Sequence, residues 1–116
     1  MQGRFENIIS TEKPVLVDFY AEWCGPCKAM APVLKQVKES FSDQIRIIKV
    51  DVDQNPSIAG RYNIRSVPTL LLFRKGRKVW SASGFRPAEE IKRVVEQTLK
   101  QGVQQPALFF LSLGKN

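Results

Sequence analysis

The sequence contains no histidine, and this absence excludes several kinds of active site. Ser-His and Cys-His hydrolases need an imidazole as general base, and many zinc sites need one as a ligand. Only two cysteines are present, so a zinc site built from four thiolates would have to be shared between two chains. These absences favour a redox role for the cysteine pair.

Long hydrophobic runs are also missing. The most apolar stretch, Ala-Leu-Phe-Phe-Leu-Ser-Leu at residues 107–113, falls well short of the ~20 residues that a membrane-spanning helix needs. The N-terminus lacks the apolar segment of a secretory signal. We therefore expect no membrane partner and a cytoplasmic location, with a mature exported form, its signal removed, as the alternative.

The 116 residues carry a net charge of +7, which raises the question of nucleic-acid binding. The basic residues are scattered along the chain. Their one dense group, Arg-Lys-Gly-Arg-Lys at residues 74–78, surrounds a glycine between two strand patterns and is typical of a hairpin tip. We expect no nucleic-acid partner.

Hydrophobic periodicity predicts one α/β domain over residues 1–101, followed by a C-terminal tail over residues 102–116. The nearly continuous apolar run at 15–20 is typical of a central strand covered on both faces. In chain order, the predicted elements are a helix near 5–9, a strand at 15–20, a helix that ends near 42, a strand at 45–52, a short helix that ends near 62, a hairpin of strands at 68–73 and 79–82, and a helix from 87 to 99.

Both cysteines lie in residues 23–28, Trp-Cys-Gly-Pro-Cys-Lys, where a strand pattern changes to a helical one. The first N–H groups of a helix are unpaired and carry partial positive charge, so a sulfur there is favoured as the reactive thiolate. Pro26 suits the first helical turn because its missing N–H would have no partner. We expect Cys24 at the exposed lip of the helix and Cys27 one turn in.

Three segments together resemble the thioredoxin family: residues 18–28, residues 51–56 (Asp-Val-Asp-Gln-Asn-Pro) and residues 67–70 (Val-Pro-Thr-Leu). The resemblance covers about residues 5–99. It implies a thioredoxin fold, which is an α/β fold with a mixed central sheet flanked by helices. The Gly-Pro pair between the cysteines resembles the reducing members of the family.

Two features depart from the family pattern. Tyr20 stands where many members carry tryptophan. Residues 1–13 are too few to supply both the family's first strand and the following helix, so we expect the fold to lack that strand. The strand at 45–52 would then be an unprotected edge.

The resemblance implies a general protein disulfide reductase. Cys24 is the expected nucleophile, which forms a mixed disulfide with a target protein, and Cys27 is the resolving thiol, so that the pair cycles between dithiol and disulfide. The resemblance also implies that no cofactor is bound and that electrons come from NADPH through a separate thioredoxin reductase. The expected partners are that reductase and disulfide-containing proteins.

Other functions for the cysteines remain open at this point. The pair could form a purely structural disulfide. However, a disulfide that closes so short a loop lowers the entropy of the unfolded chain only a little and would stabilise the fold weakly. The chain could be a binding module that stabilises a partner through its fold. A zinc-bridged dimer is a third alternative.

Asp18 interrupts the apolar strand at 15–20 and is the predicted proton acceptor for Cys27. A carboxylate buried there should have a raised pKa, suited to proton exchange near neutrality. The alternative is a side chain that faces solvent at a strand end. By resemblance, Lys49 lies near this aspartate and tunes its charge, although an isolated lysine on a strand most often faces solvent.

The resemblance further implies a substrate-binding surface. The Val67-Pro68 pair resembles the family's cis-proline element, although sequence alone leaves the cis bond open. The backbone of Val67 would pair with an extended substrate segment. The remaining expected contact residues are Trp23, Gly25, Pro26 and Gly84. For Trp23 and Gly84, packing and turn geometry are the alternative explanations.

The apolar residues 107–113 are a candidate cover for the exposed edge strand at 45–52. This contact would form within one chain or across a dimer. We expect a monomer, with a tail-mediated dimer as the alternative. A terminus without fixed structure is the other interpretation of this segment.

Overall fold

The structure is a computed structural model that describes residues 3–103. The predicted order of elements is confirmed, with shifts of a few residues at their ends. The elements are α1 (Arg4–Ile9), β1 (Val15–Tyr20), α2 (Gly25–Phe41), a 3₁₀ turn (Ser42–Gln44), β2 (Arg46–Asp51), α3 (Pro56–Arg61), β3 (Thr69–Arg74), β4 (Arg77–Ser83) and α4 (Ala88–Val103). Within residues 3–103, no helix is long and apolar enough to cross a membrane.

The four strands form one mixed sheet in the order β2-β1-β3-β4. Strand β1 pairs in parallel with β2 and antiparallel with β3, and β3 and β4 form an antiparallel hairpin around the basic tip. Among the described residues no strand precedes α1, so β2 is an edge strand, as the short N-terminus predicts. This architecture confirms the predicted α/β thioredoxin fold with a mixed sheet flanked by helices.

Helices cover both faces of the sheet, which explains the nearly continuous apolar run of β1. On one face, Leu16, Leu70 and Leu72 pack against α2 and α4. On the other face, Val15, Val17 and Phe19 pack with α1 and with partly buried side chains of α3. Successive side chains of a strand point to opposite faces of the sheet, so the side chains on both faces of β1 are mostly apolar.

The topology brings three chain segments together at one end of the sheet. Parallel pairing places the ends of β1 and β2, Tyr20 and Asp51, side by side. Antiparallel pairing sets Phe19 opposite Thr69, so β3 begins at the same end. The cysteine motif after β1, the acidic turn after β2 and the Val67-Pro68 pair before β3 are therefore neighbours.

Helix α4 runs to Val103, so the domain boundary predicted at residue 101 falls inside this helix. Residues 104–116 lie outside the described residues. The division into a domain and a tail therefore stays a prediction, as does the cover of β2 by residues 107–113.

Candidate active site

Cys24 and Cys27 lie at the start of α2 and are joined by a disulfide, with their Cα atoms 5.3 Å apart. Cys24 is the N-cap residue, and its sulfur accepts a hydrogen bond of 3.1 Å from the backbone N–H of Cys27. Pro26 lies in the first turn, where its missing N–H leaves no gap in the hydrogen bonding. An N–H group directed at the Cys24 sulfur stabilises a thiolate there after reduction.

The prediction that Cys24 stands at an exposed lip is wrong for the disulfide form. Cys24 is 3% exposed and Cys27 is 5% exposed, because both pack in a cluster with Ala21 and, at its margin, Val67. The exposed surface beside the disulfide belongs to its neighbours, above all Trp23, which is 71% exposed. A partner must therefore contact these neighbours to reach the sulfurs.

Asp18 is buried at 1% exposure, which excludes the interpretation that it faces solvent at a strand end. Neither of its carboxylate oxygens has a hydrogen-bond partner among the described residues. Burial raises the pKa of Asp18 to about 6, and the nearby Lys49 ammonium partly opposes this by favouring the charged form. A carboxyl group with this pKa exchanges protons readily near neutral pH.

Lys49 lies next to Asp18 in the parallel register of β1 and β2. Its Nζ atom sits 4.5 Å from the centroid of the Tyr20 ring, within the range of a cation–π interaction. Tyr20, the residue that departs from the family pattern, is half-buried, and its ring lies against this lysine. The predicted proximity of Lys49 to Asp18 is observed, whereas its tuning role stays a prediction.

A cavity of about 230 Å³ lies beside the cysteine motif and is lined by Tyr20, Cys27 and Lys49, among other residues. Asp18 lies on the same face of β1 as Tyr20, because side chains two residues apart on a strand share a face. The cavity is large enough to hold a water molecule, and polar groups that can bind this water line it. Asp18 therefore lies on the side of β1 that carries Tyr20 in the cavity wall, and its role as proton acceptor for Cys27 stays a prediction.

The Val67–Pro68 peptide bond is cis, a point that the sequence leaves open. Val67 is half-buried against the cysteine cluster, and its backbone makes no backbone hydrogen bond to the described residues. The carbonyl of Pro68 accepts a hydrogen bond of 2.8 Å from the N–H of Gly84. Gly84 thus lies next to the expected substrate surface.

Gly84 has φ +85°, a backbone conformation that favours glycine, so turn geometry accounts for the residue type. We expect Gly84→Ala to lower the free energy of unfolding by about 1 kcal/mol because of strain at this φ. Gly60→Ala is the matched control. Gly60 lies in α3, has open space where a Cβ would be, and should gain up to ~1 kcal/mol. Urea denaturation of the oxidised proteins measures both, and equal effects at the two positions would contradict the prediction.

One hydrogen bond at the site is not predicted by the sequence. The indole N–H of Trp23 donates a hydrogen bond of 2.9 Å to the carboxylate of Asp53. Asp53 is held in a turn in which the Asp51 carboxylate accepts hydrogen bonds from the N–H groups of Asp53 and Gln54. The sequence marks this segment only as a turn, since an indole partner 30 residues away is visible only in three dimensions.

Comparison with known proteins places this geometry in a family. The family model described as Thioredoxin matches residues 1–97. The chain is 43% identical to a thioredoxin of Alicyclobacillus acidocaldarius subsp. acidocaldarius over 98 residues, which cover 84% of this chain and 93% of that protein. It is also 43% identical to a thioredoxin of Bacillus subtilis (strain 168) over 90 residues, which cover 78% of this chain and 86% of that one. Among solved structures, a mutant thioredoxin from Halobacterium salinarum NRC-1 superposes with a TM-score of 0.75 at 36% identity, with 84% of each chain covered.

Proposed function

This chain belongs to the thioredoxin family of protein disulfide oxidoreductases, and we propose that it works as a general reductant of disulfides in other proteins. The observation that carries this proposal is the cysteine pair at the start of α2, with the Cys27 N–H directed at the Cys24 sulfur. A nucleophilic sulfur and a resolving sulfur within bonding distance are the two groups that a disulfide exchange cycle needs.

The proposed cycle begins with the reduced pair. The Cys24 thiolate attacks one sulfur of the substrate disulfide, whose S–S bond breaks and whose other sulfur leaves as a thiolate and takes up a proton. The Cys27 thiol then gives its proton to Asp18 and attacks the Cys24 sulfur. The second substrate sulfur leaves, so two electrons pass to the substrate while Cys24 and Cys27 become a disulfide.

Substrate recognition in this proposal uses main-chain contacts. Val67 lies against the cysteine cluster with backbone groups that make no backbone hydrogen bond within residues 3–103. An extended substrate segment can pair with such groups in the manner of an added strand, whatever its side chains are. The exposed Trp23, Gly25 and Pro26 provide the surrounding contact surface. Broad specificity for disulfide-containing proteins follows.

After each turnover, an external reductant must reduce the Cys24–Cys27 disulfide again. Members of this family need no bound cofactor. We propose that a separate thioredoxin reductase, which draws on NADPH, reduces the Cys24–Cys27 disulfide after each turnover. A cytoplasmic location is part of this proposal, because a reducing compartment keeps such a pair in the dithiol form.

The direction of electron flow is tested by a redox titration of the full chain against glutathione. We expect a reduction potential near the value of about −270 mV that is typical of thioredoxins, so that the dithiol reduces glutathione disulfide. The redox state is read from alkylated samples by mass spectrometry. A potential more oxidising than that of glutathione would contradict the reductase proposal, although the exchange chemistry itself would stand.

A further inference from the structure

Strand β2 presents an open edge. The N–H groups of Arg46 and Val52 donate to the carbonyls of Pro14 and Tyr20 on the β1 side. Because the direction of the backbone groups alternates along a strand, the N–H groups of Ile47 and Lys49 point away from the sheet. No other strand pairs with this side of β2 in the part of the chain that the structure describes. Such an edge pairs readily with another extended segment.

An apolar groove runs along this edge, between β2 and the helices of one face. Its volume is about 460 Å³. The apolar side chains that line it are Phe5, Ile8, Ile48, Val50 and Ile58. Charged groups line it as well, including Glu6 and Arg61, which form an ion pair with each other. The groove therefore suits apolar side chains on a strand-like backbone.

We propose that residues 107–113 of the same chain occupy this groove as an additional strand beside β2. Seven residues match the six residues of β2 in length. The segment is apolar at both odd and even positions, as a strand covered on both faces must be. One set of side chains would fill the groove, and the other would lie next to Ile47 on the opposite face. Pro106 is tolerated just before this segment, because proline is accepted at the start of a strand.

The end of α4 lies at the correct end of the sheet for this contact. Arg74 donates hydrogen bonds to the carbonyls of Thr98 in α4 and Glu12 before β1. The hydrogen bond from Arg46 to Pro14 places the start of β2 at this same end. A strand that arrives from here would run parallel to β2.

The remaining length of chain is sufficient. From β3 to the open position beyond β2 is three strand spacings, or about 14 Å. Residues 104–106 make the connection, and the four Cα–Cα steps from Val103 to Ala107 span up to about 14 Å when extended. The connection must therefore be almost fully extended where it passes below the strand ends.

The segment lies outside the residues that the family model matches, which are 1–97. It does not depend on the proposed reductase function. With the edge occupied from within, a second molecule could not pair with β2, and the chain would stay monomeric.

Amide hydrogen exchange by NMR on the full, oxidised chain tests the proposal. We expect the Ile47 and Lys49 amides to exchange at least about tenfold more slowly than unstructured amides, because the added strand accepts their hydrogen bonds. The double variant Phe109→Asp/Phe110→Asp should remove this protection. The amides of Ile48 and Val50, which face β1, should keep theirs and serve as an internal control.

The double variant Gln104→Asp/Gln105→Asp is the matched control, since it adds the same charge outside the apolar segment. It should leave the protection of Ile47 and Lys49 unchanged. The proposal is overturned if these two amides exchange freely in the original chain, or if their protection survives the phenylalanine substitutions. Protection that increases with protein concentration, together with a dimer in light scattering, would assign the edge to a second copy and would also overturn it.

Discussion

Cys24→Ser is expected to reduce the rate of insulin reduction to that of dithiothreitol alone. The serine hydroxyl cannot form a mixed disulfide, and Cys27 lacks the N-cap position and the backbone N–H that favour a thiolate at Cys24. The loss should be complete, because the chain has no cysteine besides Cys24 and Cys27. Turbidity of the precipitating insulin B chain measures the rate.

Cys27→Ser is the matched control for that substitution. It leaves the nucleophile in place and removes only the resolving thiol, so the reaction should stop at the mixed disulfide. Mass spectrometry without reductant should show a covalent adduct with insulin chains for Cys27→Ser and none for Cys24→Ser. The reverse pattern would exchange the roles of the two cysteines. If Cys24→Ser kept its insulin-reducing activity, this would contradict the exchange mechanism and favour a binding role.

The second large effect concerns Asp18, whose ionisation should lower the stability of the fold. Burial raises its pKa from 3.8 to about 6 in the folded state. The folded protein therefore holds this proton more tightly than the unfolded chain does. The stabilisation is fully present below pH 3.8, declines as the pH rises through about 6, and is absent above that.

Asp18→Asn removes this titration and should stabilise the protein at high pH. A shift of about two pKa units corresponds to about 3 kcal/mol of unfolding free energy. We expect the variant to gain about that much relative to the original chain between pH ~4 and pH ~8. Urea denaturation at a series of pH values measures this difference. Asp43→Asn, at an exposed position in the 3₁₀ turn, is the control and should show no such trend.

The same variant should also slow catalysis. Without a carboxylate to accept the Cys27 proton, resolution of the mixed disulfide becomes the slow step. The rate of insulin reduction should fall, and its dependence on pH near 6 should weaken. A stability gain with an unchanged rate and pH profile would show that Asp18 is buried for structural reasons only.

Much of the site follows from local sequence patterns. The apolar run at 15–20 predicts a central strand, and burial of Asp18 follows from that because both faces of such a strand are covered. The position of the cysteines at a helix start follows from the change of pattern at Gly25-Pro26. The short N-terminus predicts that β2 is an edge strand. These features depend on neighbours that are close in sequence or fixed by the strand order.

Other features depend on contacts between distant segments. Cys24 is buried because Val67, more than 40 residues later, packs beside it. The partner of the Trp23 indole is Asp53, whose position is set by the turn that the Asp51 carboxylate organises. The cis bond before Pro68 is also a property of the folded chain. Composition and spacing carry no signal for such contacts.

The reactivity of the Cys24 sulfur is the most direct measure of whether α2 activates it. The reduced protein is treated with iodoacetamide at neutral pH, and the modified residue is identified by mass spectrometry over time. The helix start and the Cys27 N–H should make Cys24 react several times faster than a cysteine in the unfolded chain, with Cys27 largely unmodified. Equal rates for Cys24 in the folded and unfolded protein would contradict the proposed activation.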